Sequence, residues 1–187
     1  MSFEFNLETK RLPRRQRRGV HDAFTGVAGP YGEVTIIVTI VPQRAELTSD
    51  GLPPAWILHP AGTREGLVWI DDTTQLVVDE QEAKLAQNRR GLSKEDRALH
   101  IELGDRHYTY LSTGTNLEEL REAQRGPLVR IRHGPYKRRA VTVLPETDEL
   151  DLSLGLILQG ASMDNLTLTR TVLTNVWYFF NNGQGEI

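Results

Sequence analysis

The sequence predicts a mainly β (α+β) domain, an antiparallel barrel or sandwich packed around an apolar C-terminal segment that is helical at its start. Three observations carry this. Short runs of β-branched and alternating residues recur as far as Leu144, with Glu33–Val41 (EVTIIVTIV) the strongest. Gly, Pro and Asp punctuate these runs at short intervals, as turns between short strands require. The densest apolar stretch, Leu150–Phe180, follows the strands and gives them something to wrap.

Phe3, Phe5 and Leu7 alternate and suit a short first strand. Lys10–Arg18 (KRLPRRQRR) is the sharpest charge run. It reads either as an arm for a phosphate backbone or acidic lipid, or as a solvated terminal segment. Ala28–Gly32 is a turn, and Pro42 ends the strand Glu33–Val41. A loop at Thr48–Pro54 precedes a short strand at Trp56–Leu58, and His59–Gly66 is a further turn-rich connection. Leu67–Ile70 and Gln75–Val78 flank Asp71–Thr74 as a hairpin. Asp79–Arg90 (DEQEAKLAQNRR) has acids first and arginines last, which predicts a surface helix or a loop excursion. Leu99–Leu103 and His107–Leu111 form a second hairpin around Gly104–Arg106. Asn116 is placed to cap a short helix running to Gln124, stopped by Gly126-Pro127. Leu128–Arg132 and Ala140–Leu144 are strands joined by His133–Arg139.

The apolar stretch supports two readings. Leucine at 150, 152, 154, 156 and 158 alternates as in a half-buried strand. Leucine nevertheless favours helices, and the run continues through Ile157, Ala161 and Met163, which describes a helix buried on most sides. Thr147 or Asp148 would cap it, with Asp148, Glu149 and Asp151 suiting a positive N-terminus. Gly155 and Gly160 oppose a helix by about 1 kcal/mol each unless close packing needs them. Leu166–Val172 alternates as a strand, and Val176–Phe180 supplies an aromatic payload. Gln159, Asp164, Asn165 and Arg170 interrupt any apolar run of membrane-spanning length, so no transmembrane segment is expected.

A chain of 187 residues is long enough for one sizeable core. The expected organisation is a flexible basic arm at 1–18, a single domain at 19–180 and a flexible tail at 181–187. A net charge of −3 makes no global electrostatic case for nucleic acid, which is not expected as a partner. The absence of cysteine excludes disulfide scaffolds, thiolate metal sites and cysteine nucleophiles. No apolar run follows a basic region at the N-terminus, so a cytoplasmic location is the simplest expectation.

Leu144–Ser162 (LPETDELDLSLGLILQGAS) runs from a strand through a proline-containing acidic link into an apolar segment with Gly-Ala near its end. On Leu150, Asp151, Leu154, Ile157, Leu158, Gly160 and Ala161, the chain resembles the C-terminal part of the tubby-like superfamily, which includes scramblase-like and LURP-one-related proteins. The resemblance implies a closed antiparallel barrel threaded by one hydrophobic helix. It implies a binding or scaffold role, in some members at membrane surfaces through basic residues, and carries over no catalytic residue. The chain departs from the family in continuing for more than twenty residues after the segment.

No nucleophile-elbow, P-loop or dinucleotide motif occurs, and the five histidines (His21, His59, His100, His107, His133) fit no zinc spacing. No catalytic residue, cofactor or metal ligand is therefore assigned, although Asp71-Asp72 and Asp79-Glu80 are paired acids of the kind that hold divalent ions. The strongest candidate contact surface is Arg130, Arg132, His133, Tyr136, Lys137, Arg138 and Arg139. A hairpin carrying that much positive charge suits a phosphate or an acidic partner, whereas the plainer account is an exposed strand blunted against aggregation. The expected function is a non-enzymatic binding or scaffold module contacting anionic lipid, phosphate or an acidic protein. The alternatives are a structural subunit of a homo-oligomeric, virion- or tail-like assembly, and an enzyme with an acid–base site that no motif marks.

Overall fold

The structure, a computed structural model, describes residues 2–13, 15, 18–60, 66–88 and 93–163. Twelve antiparallel strands form a closed barrel in simple up-and-down order. They are β1 (Phe3–Thr9), β2 (Val20–Val27), β3 (Glu33–Thr39), β4 (Gln43–Ser49), β5 (Ala55–His59), β6 (Gln75–Val78), β7 (Gln81–Gln87), β8 (Leu99–Leu103), β9 (Arg106–Gly114), β10 (Leu117–Glu122), β11 (Gly126–His133) and β12 (Arg139–Val143). Closure comes from β1, which pairs with β12 from Phe3↔Val143 to Leu7↔Arg139 and with β2 at Glu8↔Thr25 and Thr9↔Phe24.

Inside the barrel lies α1 (Glu149–Ile157), extended by a 3-10 turn at Leu158–Gly160. The helical reading of Leu150–Leu158 therefore holds. Leu152, Leu154, Leu156, Ile157 and Leu158 are all fully buried, so the leucine alternation reflects enclosure on every side and not a two-faced strand. Asp148 is the cap, in a capping box in which its side chain accepts from Asp151 N and that of Asp151 accepts from Asp148 N. The two helix-opposing glycines are required by contact. A Cβ on Gly160 would overlap the Cβ of Ala45, and one on Gly155 would sit 3.3 Å from Val129 Cγ2. Among the described residues no helix is long and apolar enough to cross a membrane.

The wall follows the two-residue period. Val34, Ile36 and Val38 of β3, Ala45 and Leu47 of β4, and Val129 and Ile131 of β11 face the helix and are buried. Outward positions such as Glu4, Glu46, Lys84, His100, Glu102, Arg130 and Arg132 are exposed and polar, the reverse of a lipid-facing belt.

Four expectations require correction. The described part of Asp79–Arg90, residues 79–88, is not a helix: Asp79 and Glu80 have φ of 50° and 61° and make the tight turn between β6 and β7 (Gln81–Gln87). That turn needs two left-handed residues, usually signalled by Asn-Gly or Asp-Gly, and Asp-Glu hides it. Asn116–Gln124 is not a helix either, because Leu117–Glu122 is β10, with Glu118 and Glu122 at buried positions. Leu67–Ile70 is no strand of the barrel. Val68 makes an isolated parallel bridge to Ala161, and the Gln43 side chain holds the segment by donating to Leu67 O and accepting from Trp69 N. Residues 3–9 of the expected arm are β1, with Leu7 fully buried, so the irregular part of that segment begins at Lys10. The expected strand at 166–172, the aromatic run at 176–180 and the tail at 181–187 lie outside the described residues.

At one rim the helix N-terminus is tied to the wall. Asp151, fully buried, accepts from Arg125 Nη1 and Nη2 at 2.7 and 2.8 Å, from Tyr108 Oη at 2.7 Å and from Arg106 Nη1 at 3.1 Å. Burial alone would raise its pKa. The Arg125 pair, the Asp148 amide and the Tyr108 hydroxyl outweigh that and hold the carboxyl below its ordinary value. Tyr108, buried and facing this carboxylate, is pushed up.

Candidate anion-contact surface

In an up-and-down barrel alternate connections share a rim. The β1–β2, β3–β4 and β11–β12 connections lie on one rim, and because β1 sits between β12 and β2 they are consecutive around it. This is the rim at which α1 emerges, opposite the one holding Asp151.

The β11–β12 tip is a 3-10 turn at Pro135–Lys137, closed by Gly134 N donating to Arg138 O at 2.7 Å. Tyr136 and Lys137 both have left-handed φ, 57° and 59°, a conformation that disfavours side chains with a Cβ. The strained turn leaves the Tyr136 ring 95% exposed.

The seven predicted residues have different environments. Arg130 Nε donates to Glu119 Oε2 at 2.6 Å, and Glu119 also accepts from Arg121. Burial would raise the Glu119 pKa, but the two arginines hold it below its ordinary value. Arg132 is exposed, and among the described residues no acid lies within ion-pair distance of it. His133 Nε2 stands 2.9 Å from Glu118 Oε2 but out of line for a hydrogen bond. Lys137 Nζ donates to both oxygens of Asp22, at 2.7 and 2.8 Å, and Arg138 Nη2 lies 3.2 Å from Glu8.

Arg139 is not on this surface. It is buried with its guanidinium 3.9 Å from the Phe24 ring centre. Burial lowers its pKa, countered by Tyr110, Glu118 and Asp22. Nearby, Tyr110 Oη donates to Glu118 and accepts from Gln159 Nε2 of the helix end, and burial beside that carboxylate raises the phenol.

What the sequence reading did not bring together is the second basic segment. The β1–β2 connection presents Lys10, Arg11, Arg15 and Arg18, all exposed, beside the β11–β12 tip. Lys137–Asp22 and Arg138–Glu8 fasten the two. Thr9–Leu12 and Val20–Ala23 bound a cleft of about 230 Å³ that includes Lys10, Arg11 and His21. On the other flank Ile40 N donates to Gly19 O, and Val41 is 79% exposed. The rim thus carries a cationic segment between two projecting non-ionic side chains, Tyr136 and Val41.

The acidic candidates behave otherwise. Asp71 Oδ2 is 2.8 Å from His59 Nε2, while its Oδ1 accepts from Thr73. Burial opposes ionisation there, but these bonds hold its carboxyl well below the usual range. Asp79 and Glu80 form the β6–β7 turn with exposed side chains, and among the described residues no group of three or more His, Asp or Glu could hold a metal ion. Comparison of the chain with family models, with curated proteins and with solved structures gave no match.

Proposed function

We propose that the chain is a non-enzymatic binding module that contacts an anionic partner through the basic rim. The observation that carries this is the juxtaposition of two cationic segments far apart in sequence, Lys10–Arg18 and Arg132–Arg138, on neighbouring connections of one rim. Glu8 of β1, Asp22 of β2 and Glu119 of β10 neutralise part of the charge, while Arg11, Arg15, Arg18 and Arg132 remain exposed. Exposed arginines spread along a rim suit an extended anionic surface better than a small enclosed anion. Tyr136 and Val41 beside them suit an interface that takes up apolar groups as well as charge. Membership of the tubby-like superfamily is part of this proposal. Its support is architectural: twelve antiparallel strands closed around a C-terminal apolar helix, the arrangement which that resemblance implies.

The test is cosedimentation with vesicles of phosphatidylcholine, with and without phosphatidylserine, beside titrations with inorganic phosphate and with polyglutamate. Binding to at least one anionic probe is expected, falling steeply between about 50 and about 200 mM salt. It should be lost in the triple variant Arg11→Glu, Arg15→Glu, Arg18→Glu. The pattern of probes separates lipid, phosphate and acidic protein. Retention of none at the lower salt would sink the proposal.

A second reading, a subunit of a homo-oligomeric assembly, is favoured by the closure seam. β1 has five register pairs with β12 but two with β2, so strand exchange between copies would break few ladder pairs on that side. Light scattering decides it, since a monomer at every concentration removes this reading.

A further inference from the structure

On the far side of the barrel, six places from β1 in a ring of twelve, β7 changes neighbour part-way along. Gln81–Ala83 pair with β6, while Lys84–Gln87 pair with β8. Beyond Ala83 the β6 side of β7 has no strand partner among the described residues. β6 starts at Gln75, and the chain before it turns away, with Thr74 N donating to Asp71 O and Asp71 N to Thr74 Oγ1. The inward side chains register the gap: Ala83 is buried, whereas Leu85 and Gln87 are only half-buried.

A cleft of about 220 Å³ fills the split, with Ile70 and Asp72 on one wall, Leu85 and Gln87 on the other, and Leu99 among its lining. Its floor is apolar and its mouth is acidic. Asp72 is exposed, with no ion-pair or hydrogen-bond partner among the described residues, and Asp71 beside it is held ionised by its bonds to His59 and Thr73. Lys84 points outward to Glu102 at 3.5 Å. Among the described residues this run of four is unpaired on its β6 side, spans about 13 Å and offers backbone donors and acceptors there as a template for another strand.

We propose that this split is a strand-addition site for an extended segment of a partner protein that alternates basic and apolar residues. The segment pairs its backbone with Lys84–Gln87, seats one apolar side chain on Leu85 and Leu99, and sets a Lys or Arg against Asp72. Backbone pairing gives affinity and the cleft and carboxylate give selectivity, the division of labour general to strand addition. This goes beyond the basic rim, which lies across the barrel and selects the opposite charge.

The experiment is amide hydrogen exchange by NMR on the full chain, with the peptide acetyl-Arg-Val-Lys-Val-Arg-Val-amide as probe and acetyl-Glu-Val-Glu-Val-Glu-Val-amide as its counterpart. In the free chain, the amides among residues 84–87 that point away from β8 should exchange freely. The basic peptide should slow them about tenfold at saturation. Asp72→Lys, at an exposed turn position, should abolish this and transfer the preference to the acidic peptide. Leu85→Glu should weaken both. The proposal is overturned if those amides are already as protected as the ones bonded to β8, or if the basic peptide at about 1 mM leaves them unchanged. It is equally overturned if both peptides protect them alike, or if protection appears at residues 10–13 and 134–138 instead.

Discussion

Asp151→Asn keeps the size of the side chain and removes its charge where the helix is moored to the wall. The wild-type carboxylate is fully buried and accepts from Arg125 twice, from Tyr108 and from Arg106, besides closing the capping box on Asp148. An amide has one acceptor oxygen in place of two, and its NH2 group would face guanidinium donors. Breaking a buried ion pair from one side costs about 3–5 kcal/mol. Arg125 and Arg106 side chains are 26% and 34% exposed, so water can partly re-solvate them and the lower end of that range applies. For a domain of this size that is a fall in Tm of about 6–12 °C. Urea denaturation should show a lower midpoint with an unchanged slope. Acid supplies a second check. The folded pKa of Asp151 lies below its ordinary 3.8, so its contribution is fully present above that value and is lost as pH falls through the folded value. The gap between wild type and variant must therefore be constant near neutrality and narrow below about pH 4. A variant within about 1 kcal/mol of wild type at pH 7, or a gap that does not narrow in acid, would refute the mooring role.

Other perturbations address the plug and the closure. Leu156→Asp places a carboxylate in the centre of the barrel with no partner, and several kcal/mol of destabilisation should appear as loss of the cooperative thermal transition. An unchanged Tm would contradict the enclosed helix. Gly160→Val should destabilise more than Gly155→Ala, because a Cβ at 160 overlaps Ala45 whereas one at 155 meets Val129 at 3.3 Å, a tight contact that a shift of a few tenths of an ångström relieves; equal midpoints would remove the contact argument. Deleting residues 2–9 takes out Phe5 and Leu7, worth about 3–6 kcal/mol of burial, and opens both β12 and β2. Loss of the folded state by circular dichroism is expected, and a native spectrum with native Tm would mean that the barrel closes without β1.

Much of the architecture was readable because inside and outside differ in chemistry. β3, β8 and β12 alternate cleanly, and the leucine-rich segment had no polar face to show the solvent. The two strands read as helices failed for separate reasons. β7 has helix-favouring composition and a turn whose left-handed residues are not glycine or asparagine. In β10 the inward positions 118 and 122 are glutamates. Their burial is compensated by Tyr110 Oη for one and by the amides of Gln124 and Arg125 for the other, contacts no single-strand pattern reveals. Arg130 and Arg132 do lie on the outer face, opposite buried Val129 and Ile131, whereas Arg139 was misjudged because its site on Phe24 comes from a strand over a hundred residues away. The union of the two basic segments follows only from pairing the first strand with the last, a long-range event invisible to local composition.

The chain writes its wall before its filling. Every barrel strand precedes the helix, so a growing polypeptide that has emerged through Val143 holds a ring's worth of inward-facing aliphatics with nothing to enclose. Sealing the ring joins partners about 140 positions apart, which makes closure slow. Synthesis therefore leaves a long interval in which exposed apolar faces and unpaired strand edges compete with native docking, and this domain should depend on chaperone protection until its last native segment arrives.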